Sequence, residues 1–88
     1  MEQTGQGLSE EHKHAFEIYV NTVKVLTDHH KLDYHQVVKI AFPNETQRRY
    51  NVTYRGAKDP REGHLVPGGP SVEIKQGTIF DVTPTTES

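Results

Sequence analysis

The sequence contains no cysteine, which excludes disulfide bonds, thiolate metal sites and a cysteine nucleophile. Its longest apolar run is only a few residues, so no segment predicts a membrane-spanning helix. The net charge is −2 with both signs interspersed, and the basic stripe expected of a nucleic-acid-binding protein is missing. The start, Met1-Glu2-Gln3-Thr4, lacks a basic and then apolar signal pattern, so we expect a cytoplasmic protein.

Motifs of catalysis are also missing from the sequence. The three serines, Ser9, Ser71 and Ser88, do not lie in a Gly-x-Ser-x-Gly nucleophile motif. The pair Gly68-Gly69 is followed by proline instead of the lysine and helix of a phosphate-binding loop. We therefore expect a protein that is not an enzyme and holds no cofactor.

Six histidines raise the question of a metal site. His12 and His14 form one group, and His29, His30 and His35 form a second. Zinc needs three or four convergent ligands, and neither a cysteine nor a His-Glu-x-x-His pattern is present to supply them. The acidic residues near 59–63 do not match the spacing of a dedicated calcium loop. We expect solvated side chains at both places and predict no metal.

The first fourteen residues are polar and glycine-containing, and they predict a disordered N-terminal tail. A single domain is predicted over 15–83, with a flexible C-terminal tail at 84–88. A domain of about 70 residues buries only about 60–65% of its unfolded surface, so one thin core is expected.

Two alternating apolar segments open the predicted domain. Phe16–Val20 has apolar side chains at every second position, and Val23–Thr27 continues the pattern after Asn21-Thr22. Asparagine tolerates a positive φ and suits a tight turn. The two segments therefore predict a β-hairpin.

The segment Asp33–Phe42 predicts the one helix. Its apolar residues follow a spacing of three and four, and they are Tyr34, Val37, Val38, Ala41 and Phe42. Asp33 and Gln36 have the spacing of a capping box, and Pro43 ends the helix.

The second half of the chain predicts further strands. Tyr50–Tyr54 alternates, whereas Gly56–Pro70 contains four glycines and three prolines and predicts a long irregular loop. We expect Leu65-Val66 to pin this loop as a short edge strand. Ser71–Lys75 and Thr78–Thr83 predict a final strand pair joined by a turn at Gln76-Gly77.

The order β-β-α-β-β-β is typical of an α+β fold, the ubiquitin-like β-grasp. In this fold one central helix packs on one face of a mixed sheet of four to five strands. Tyr50 and Tyr54 are expected to pack under the helix with their hydroxyl groups at the rim, and the alternative is that they form an exposed patch for a partner.

The sequence resembles the bacterial multiubiquitin domain family over roughly Ala15 to Thr83. Five segments carry the resemblance: Phe16–Asn21, Val37–Pro43, Tyr50–Tyr54, Gly63–Gly68 and Gly77–Thr83. The resemblance implies a ubiquitin-like modifier whose partners are ubiquitin-activating-like and conjugating-like enzymes and a deconjugating peptidase. These partners would act on its C-terminal carboxylate.

The sequence departs from ubiquitin-type modifiers at its end. Such modifiers finish in Gly-Gly, whereas this sequence finishes Thr83-Pro84-Thr85-Thr86-Glu87-Ser88. The pathway accepts another terminus, a peptidase trims the tail, or this member is not conjugated. We interpret the internal Gly68-Gly69 as turn residues.

The face of the sheet opposite the helix is predicted to carry Tyr19, Thr53 and Ile79. The resemblance implies that this face binds partners, and Ile79 has the character of an apolar anchor among polar residues. The alternative is an interaction or self-assembly module of the same fold that is never conjugated.

Overall fold

A computed structural model describes residues 15–44 and 49–85 of the chain. Its elements, in chain order, are β1 Phe16–Val20, β2 Val23–Thr27, β3 Lys31–Leu32, α1 Tyr34–Ala41, β4 Tyr50–Arg55, β5 Glu62–Leu65, β6 Val72–Glu73 and β7 Ile79–Pro84. The N-terminal tail predicted at 1–14 lies outside the described residues. Within the described part of the chain, no helix has the length and apolar content needed to cross a membrane.

Strands β1 and β2 form the hairpin predicted from their alternation. Their register pairs Val20 with Val23 and Phe16 with Thr27. Asn21 and Thr22, the two turn residues, both have positive φ values, 52° and 69°. Positive φ at both central residues is the geometry of a type I′ turn, whose twist matches the flanking strands.

Asn21 also joins the hairpin to the last strand of the domain. Its side-chain amide donates to the carbonyl of Val82 at 3.0 Å, and its side-chain oxygen accepts from the amide of Val82 at 2.8 Å. The carboxamide thus reproduces the two hydrogen bonds of a strand residue. This contact explains why asparagine suits the first turn position.

Helix α1 begins and ends where its sequence predicts. Asp33 accepts from the backbone of Gln36 at 3.0 Å, and Gln36 accepts from the backbone of Asp33 at 2.9 Å, which completes the capping box. The helix ends at Ala41, and the amide of Phe42 donates to the carbonyl of Val38. Of the predicted stripe, Tyr34 and Val37 are buried, and the other members are partly buried.

The main sheet has five strands in the order β2-β1-β7-β4-β5. Strands β1 and β7 are parallel, and the other neighbours are antiparallel. The last of the described strands, β7, therefore lies at the centre of the sheet, beside β1, the first of them. One helix on a mixed five-stranded sheet is a β-grasp-like α+β fold, as the order of segments predicts.

The final strand pair predicted from Ser71–Lys75 and Thr78–Thr83 is wrong. Strand β6 pairs with β3 in a separate two-stranded sheet, with Leu32 opposite Val72, and β7 instead pairs with β1 and β4. The reason lies at the turn, where Gly77 has a φ of 86° and the buried Thr78 bonds back to Lys75. The chain bends here and inserts β7 between two strands that precede it by more than twenty residues.

Several predicted strand boundaries also change, and two of the changes alter the edges of the domain. The edge strand is β5, Glu62–Leu65, and Val66 lies beyond it, because the register runs from Arg55 opposite Glu62 to Val52 opposite Leu65. Strand β7 extends to Pro84, which lies opposite Tyr50, and the amide of Thr85 donates to the carbonyl of Arg49 at 3.1 Å. The C-terminal tail predicted to begin at Pro84 is therefore part of the sheet as far as Thr85.

The core lies between α1 and one face of the sheet. Alternate residues of β1, β4 and β7 point into it, and the buried apolar set is Ile18, Val20, Leu32, Tyr34, Val37, Tyr50, Val52, Tyr54, Ala57, Leu65, Val72, Ile74, Phe80 and Val82. Tyr50 and Tyr54 pack on this side, as predicted. The Tyr34 hydroxyl accepts from the amide of Tyr50 at 3.0 Å, so the helix is also bonded to the sheet.

Candidate protein-binding face

The side of the sheet away from α1 is not covered by any element of the described residues, and we call it the open face. It carries the alternate side chains of all five strands, because successive residues of a strand point to opposite faces. Its central members are Tyr19 on β1, Ile79 on β7, and Thr53 and Arg55 on β4, and the first three are half-buried.

The strand register arranges one row of side chains across the open face. Tyr19 lies opposite Lys24 on β2 and opposite Ile79 on β7, and Ile79 lies opposite Arg55 on β4. Arg55 lies opposite Glu62 on β5. The row therefore reads Lys24, Tyr19, Ile79, Arg55, Glu62, with two large apolar side chains between charged ones.

Two of the three predicted face residues lie directly opposite each other in the sheet. Tyr19 and Ile79 are neighbours across the parallel pair. Thr53 shares the face but lies opposite Asp81, one row further along. The sequence prediction missed Arg55, which fills the place beside Ile79, because the predicted strand ended at Tyr54. Continuing the alternation by one residue would have found it.

Ion pairs flank the apolar pair on both sides. Lys24 Nζ lies 3.8 Å from Glu17 Oε2, and Arg55 Nη1 lies 3.5 Å from Asp81 Oδ2. The Tyr19 hydroxyl donates to Glu17 Oε2 at 2.9 Å. This hydrogen bond, together with the negative charge of Glu17 and some burial, raises the pKa of Tyr19 above its ordinary value. The centre of the face therefore presents a protonated tyrosine at neutral pH.

Leu26 is a second feature of this face that the sequence prediction missed. It lies on β2 opposite Glu17 and is 62% exposed. Its position follows from the alternation of β2, in which Val23 and Val25 take the helix side and Lys24 and Leu26 take the other. An apolar centre with a charged border is the usual anatomy of a protein-binding patch.

The predicted conjugation tail lies at the other end of β7. Thr83 and Pro84 lie opposite Asn51 and Tyr50 in the sheet, and Thr85 is bonded to Arg49. Thr86, Glu87 and Ser88 lie outside the described residues. Gly68 and Gly69 form a turn with Pro67, in which Gly68 has a φ of 76° and the amide of Gly69 donates to Val66 at 3.0 Å.

Two histidines of the described residues, His30 and His35, pack separately against aromatic rings. The ring centroid of His30 lies 5.3 Å from that of Phe16, and the centroid of His35 lies 5.2 Å from that of Tyr34. Among residues 15–44 and 49–85, no three histidine or carboxylate side chains lie close enough together to hold a metal ion. His12 and His14 lie outside the described residues.

Two concave surfaces of the described chain are small or mainly polar. One cleft of about 250 Å³ runs between Arg49–Val52 and His64–Pro67. This volume is below the roughly 300–1,000 Å³ of ordinary small-molecule sites. A second depression, of about 610 Å³, has a mainly polar lining that includes exposed Arg61, Glu62 and Lys75. The open face therefore remains the better candidate for function.

The architecture defines the chain as a β-grasp-like α+β domain. Comparisons with protein-family models, with curated proteins and with solved structures find no match for it. The functional argument therefore depends on the fold and on the open face.

Proposed function

We propose that this chain is a ubiquitin-like protein of a bacterial ubiquitin-like conjugation pathway. It acts passively, as a protein tag or as a docking domain, and its partners are activating-like and conjugating-like enzymes and a deconjugating peptidase. The proposal is supported by the β-grasp-like fold and by the sequence resemblance described above.

The observation that carries the docking role is the row across the open face. Tyr19 and Ile79 form a continuous apolar centre, and the charges of Lys24 and Arg55 are partly neutralised by Glu17 and Asp81. Truncation of such a central apolar residue commonly weakens binding strongly, whereas exposed ion pairs at the border contribute little. A partner that covers this face would therefore depend on Ile79 more than on the surrounding charges.

The chemistry would be performed by the partner enzyme on the C-terminal carboxylate, after any trimming. A carboxylate oxygen attacks the α-phosphorus of ATP and pyrophosphate leaves. A nucleophile of the carrier then attacks the acyl carbon and AMP leaves. The domain contributes the carboxylate and the docking face.

The test is adenylation by a ubiquitin-activating-type enzyme encoded in the same genome. The chain is incubated with ATP and this enzyme, and the adenylate and the covalent adduct are detected by mass spectrometry. We expect both species, and we expect Ile79→Asp to reduce the initial rate at limiting concentration by about tenfold or more. Val66→Asp is the matched control, because Val66 is 54% exposed and lies outside the row.

Two results would contradict the proposal. The first is the absence of both species with intact and trimmed chains alike. The second is an initial adenylation rate of Ile79→Asp equal to that of Val66→Asp, when circular dichroism shows that both variants are folded. Tyr19→Ala would then also react at the rate of the control.

A second candidate function is an interaction module that is not conjugated. The pairing of Thr83–Thr85 with β4 and Arg49 favours it, because these residues cannot enter an enzyme channel without leaving the sheet. The two functions are distinguished by the same reaction. A non-conjugated module gives no adenylate while Ile79→Asp still abolishes binding to its partner.

A further inference from the structure

Within residues 15–44 and 49–85, the outer edge of β2 pairs with no other strand, and the strand carries exposed apolar side chains. Three large apolar residues of the described chain are strongly exposed, and two of them, Val23 at 61% and Leu26 at 62%, lie on this five-residue strand. Edge strands are usually protected from pairing by prolines, bulges or several charges. Strand β2 has no proline, pairs with β1 without a bulge, and carries one charge, Lys24.

The hydrogen bonds of β1 fix which backbone groups of β2 point outward. The amide of Tyr19 donates to the carbonyl of Thr78, and the carbonyl of Glu17 accepts from the amide of Gly77. The backbone groups of Tyr19 and Glu17 therefore point toward the β7 side of β1. Their partners on β2 are Lys24 and Leu26. Because Glu17 and Tyr19 direct their backbone groups away from β2, they form non-hydrogen-bonded pairs with Leu26 and Lys24. The N–H and C=O groups of Lys24 and Leu26 therefore point to the outer edge of β2.

We propose that β2 pairs with β2 of a second copy, antiparallel and centred on Val25, to form a two-fold dimer with a continuous ten-stranded sheet. In this register Lys24 and Leu26 each exchange two hydrogen bonds with Leu26 and Lys24 of the second copy. Both outward donors and both outward acceptors of each strand are then used. A shift by one residue in either direction would leave the hydrogen-bonding groups out of phase.

The side chains of β2 are compatible with this register on both faces. On the open face, Lys24 lies opposite Leu26 of the second copy, so the two ammonium groups are not directly opposed, and the lysine stem covers the leucine. Each ammonium group also keeps Glu17 at 3.8 Å. On the other face, Val25 meets its own copy and Val23 meets Thr27, which are favourable β-branched pairs.

The other edge of the sheet explains why pairing stops at two copies. Strand β5 has Glu62 and Gly63 at its start, and Pro67 follows its end closely. Charge, glycine and nearby proline weaken an edge for strand addition. The like-with-like contact at β2 is therefore a closed two-fold interface and not the start of a fibre.

The dimer is weak, because one five-residue strand pair is smaller than the roughly 1,200–2,000 Å² of a stable interface. Sedimentation equilibrium of the full chain from about 10 μM to about 1 mM covers the range in which such small contacts dissociate. We expect the average mass to rise from that of the monomer toward that of the dimer over this range.

Two pairs of variants test the backbone and side-chain parts separately. Lys24→Pro removes an outward N–H, whereas Lys24→Ala removes the same charge and keeps that N–H. We expect the dissociation constant to rise about tenfold or more for Lys24→Pro and to change by less than about threefold for Lys24→Ala. Leu26→Lys should weaken the dimer as Lys24→Pro does. Val66→Lys is the control and should not weaken it, because Val66 is similarly exposed but lies far from β2.

Amide hydrogen exchange provides the readout that excludes other occupants. The amides of Lys24 and Leu26 should become protected as the protein concentration rises. Protection that is independent of concentration would mean that a segment of the same chain covers the edge, and it would overturn the proposal. A protein that remains monomeric at about 1 mM would also overturn the proposal. So would equal changes of the dissociation constant for Lys24→Pro and Lys24→Ala, measured on folded variants. This inference is independent of the proposed function, because adenylation does not require the β2 edge.

Discussion

Apart from the tyrosines, Thr78 is the one buried polar residue of the described core, and its hydroxyl joins three segments. It accepts from the amide of Lys75 at 3.0 Å and lies 2.8 Å from the carbonyl of Lys75 and 3.1 Å from the carbonyl of Gly56. One proton serves two acceptors, so the hydroxyl holds the end of β4 against the turn that precedes β7. A buried hydroxyl with this role is difficult to recognise from a sequence, in which threonine is an ordinary strand residue.

Thr78→Val tests this role at constant volume. The variant leaves the amide of Lys75 and the carbonyl of Gly56 without this partner in a partly buried place, and we expect the free energy of unfolding to fall by about 1–2 kcal/mol. Chemical denaturation measures the change. Thr83→Val, at an exposed position of β7, is the control and should stay within about 0.5 kcal/mol of wild type. Equal effects at the two positions would contradict the role.

At the scale of elements, the turn of the β1–β2 hairpin places two different residues, Asn21 and Thr22, in the left-handed region of positive φ. Asn21 is fixed by its two hydrogen bonds to Val82, whereas Thr22 is a β-branched residue with a φ of 69°. A left-handed conformation costs a non-glycine residue about 1–2 kcal/mol. The strain at Thr22 is therefore tolerated because Asn21 and the strand register hold the turn.

Substitution by glycine is expected to change the free energy of unfolding in opposite directions at the two turn positions. Thr22→Gly relieves the left-handed strain, and after the entropy cost of glycine we expect a gain of about 0.5–1 kcal/mol in unfolding free energy. Asn21→Gly has the same backbone freedom but loses both bonds to Val82, and we expect a loss of about 1–2 kcal/mol. Thermal and chemical denaturation of the two variants check the order. The interpretation of the turn is wrong if both variants move in the same direction.

The sequence predicts those elements whose stabilising contacts are local. The hairpin and helix α1 have their residue alternation, turn and caps within a few positions, and both are found as predicted. The partner of β6 could not be predicted, because Ser71–Lys75 and Thr78–Thr83 have the appearance of a hairpin while β6 is bound by Leu32, forty residues earlier in the chain. The open face shows the same limit, since alternation predicts that Tyr19 and Ile79 share a face but only the register places Arg55 beside them.

At the scale of the whole molecule, Tyr54 makes the stability of the domain depend on alkaline pH. Burial, and secondarily the negative charge of Asp59, raise the pKa of Tyr54 above the ordinary value of 10.0. The neutral form is thus favoured in the folded state. The corresponding stability is fully present below pH 10, and it is lost as pH rises through the higher pKa of the folded protein.

Tyr54→Phe should reduce this alkaline loss. We expect the variant and wild type to differ in stability by a constant amount between pH 7 and about pH 9.5, and the difference to shift in favour of the variant above that. Denaturation midpoints measured at successive pH values give the result. Parallel curves up to pH 11 would contradict the assignment to Tyr54.

The central place of β7 constrains how the domain is made. Its neighbours in the sheet, β1 and β4, are not paired with each other, so the two halves of the sheet are hydrogen-bonded together only through Ile79–Pro84. This closure links residues about sixty positions apart, and such distant pairing slows folding. A ribosome-bound nascent chain therefore keeps Ile18, Val20 and Val52 accessible until Ile79–Pro84 has emerged, and the core closes only after this strand is in place.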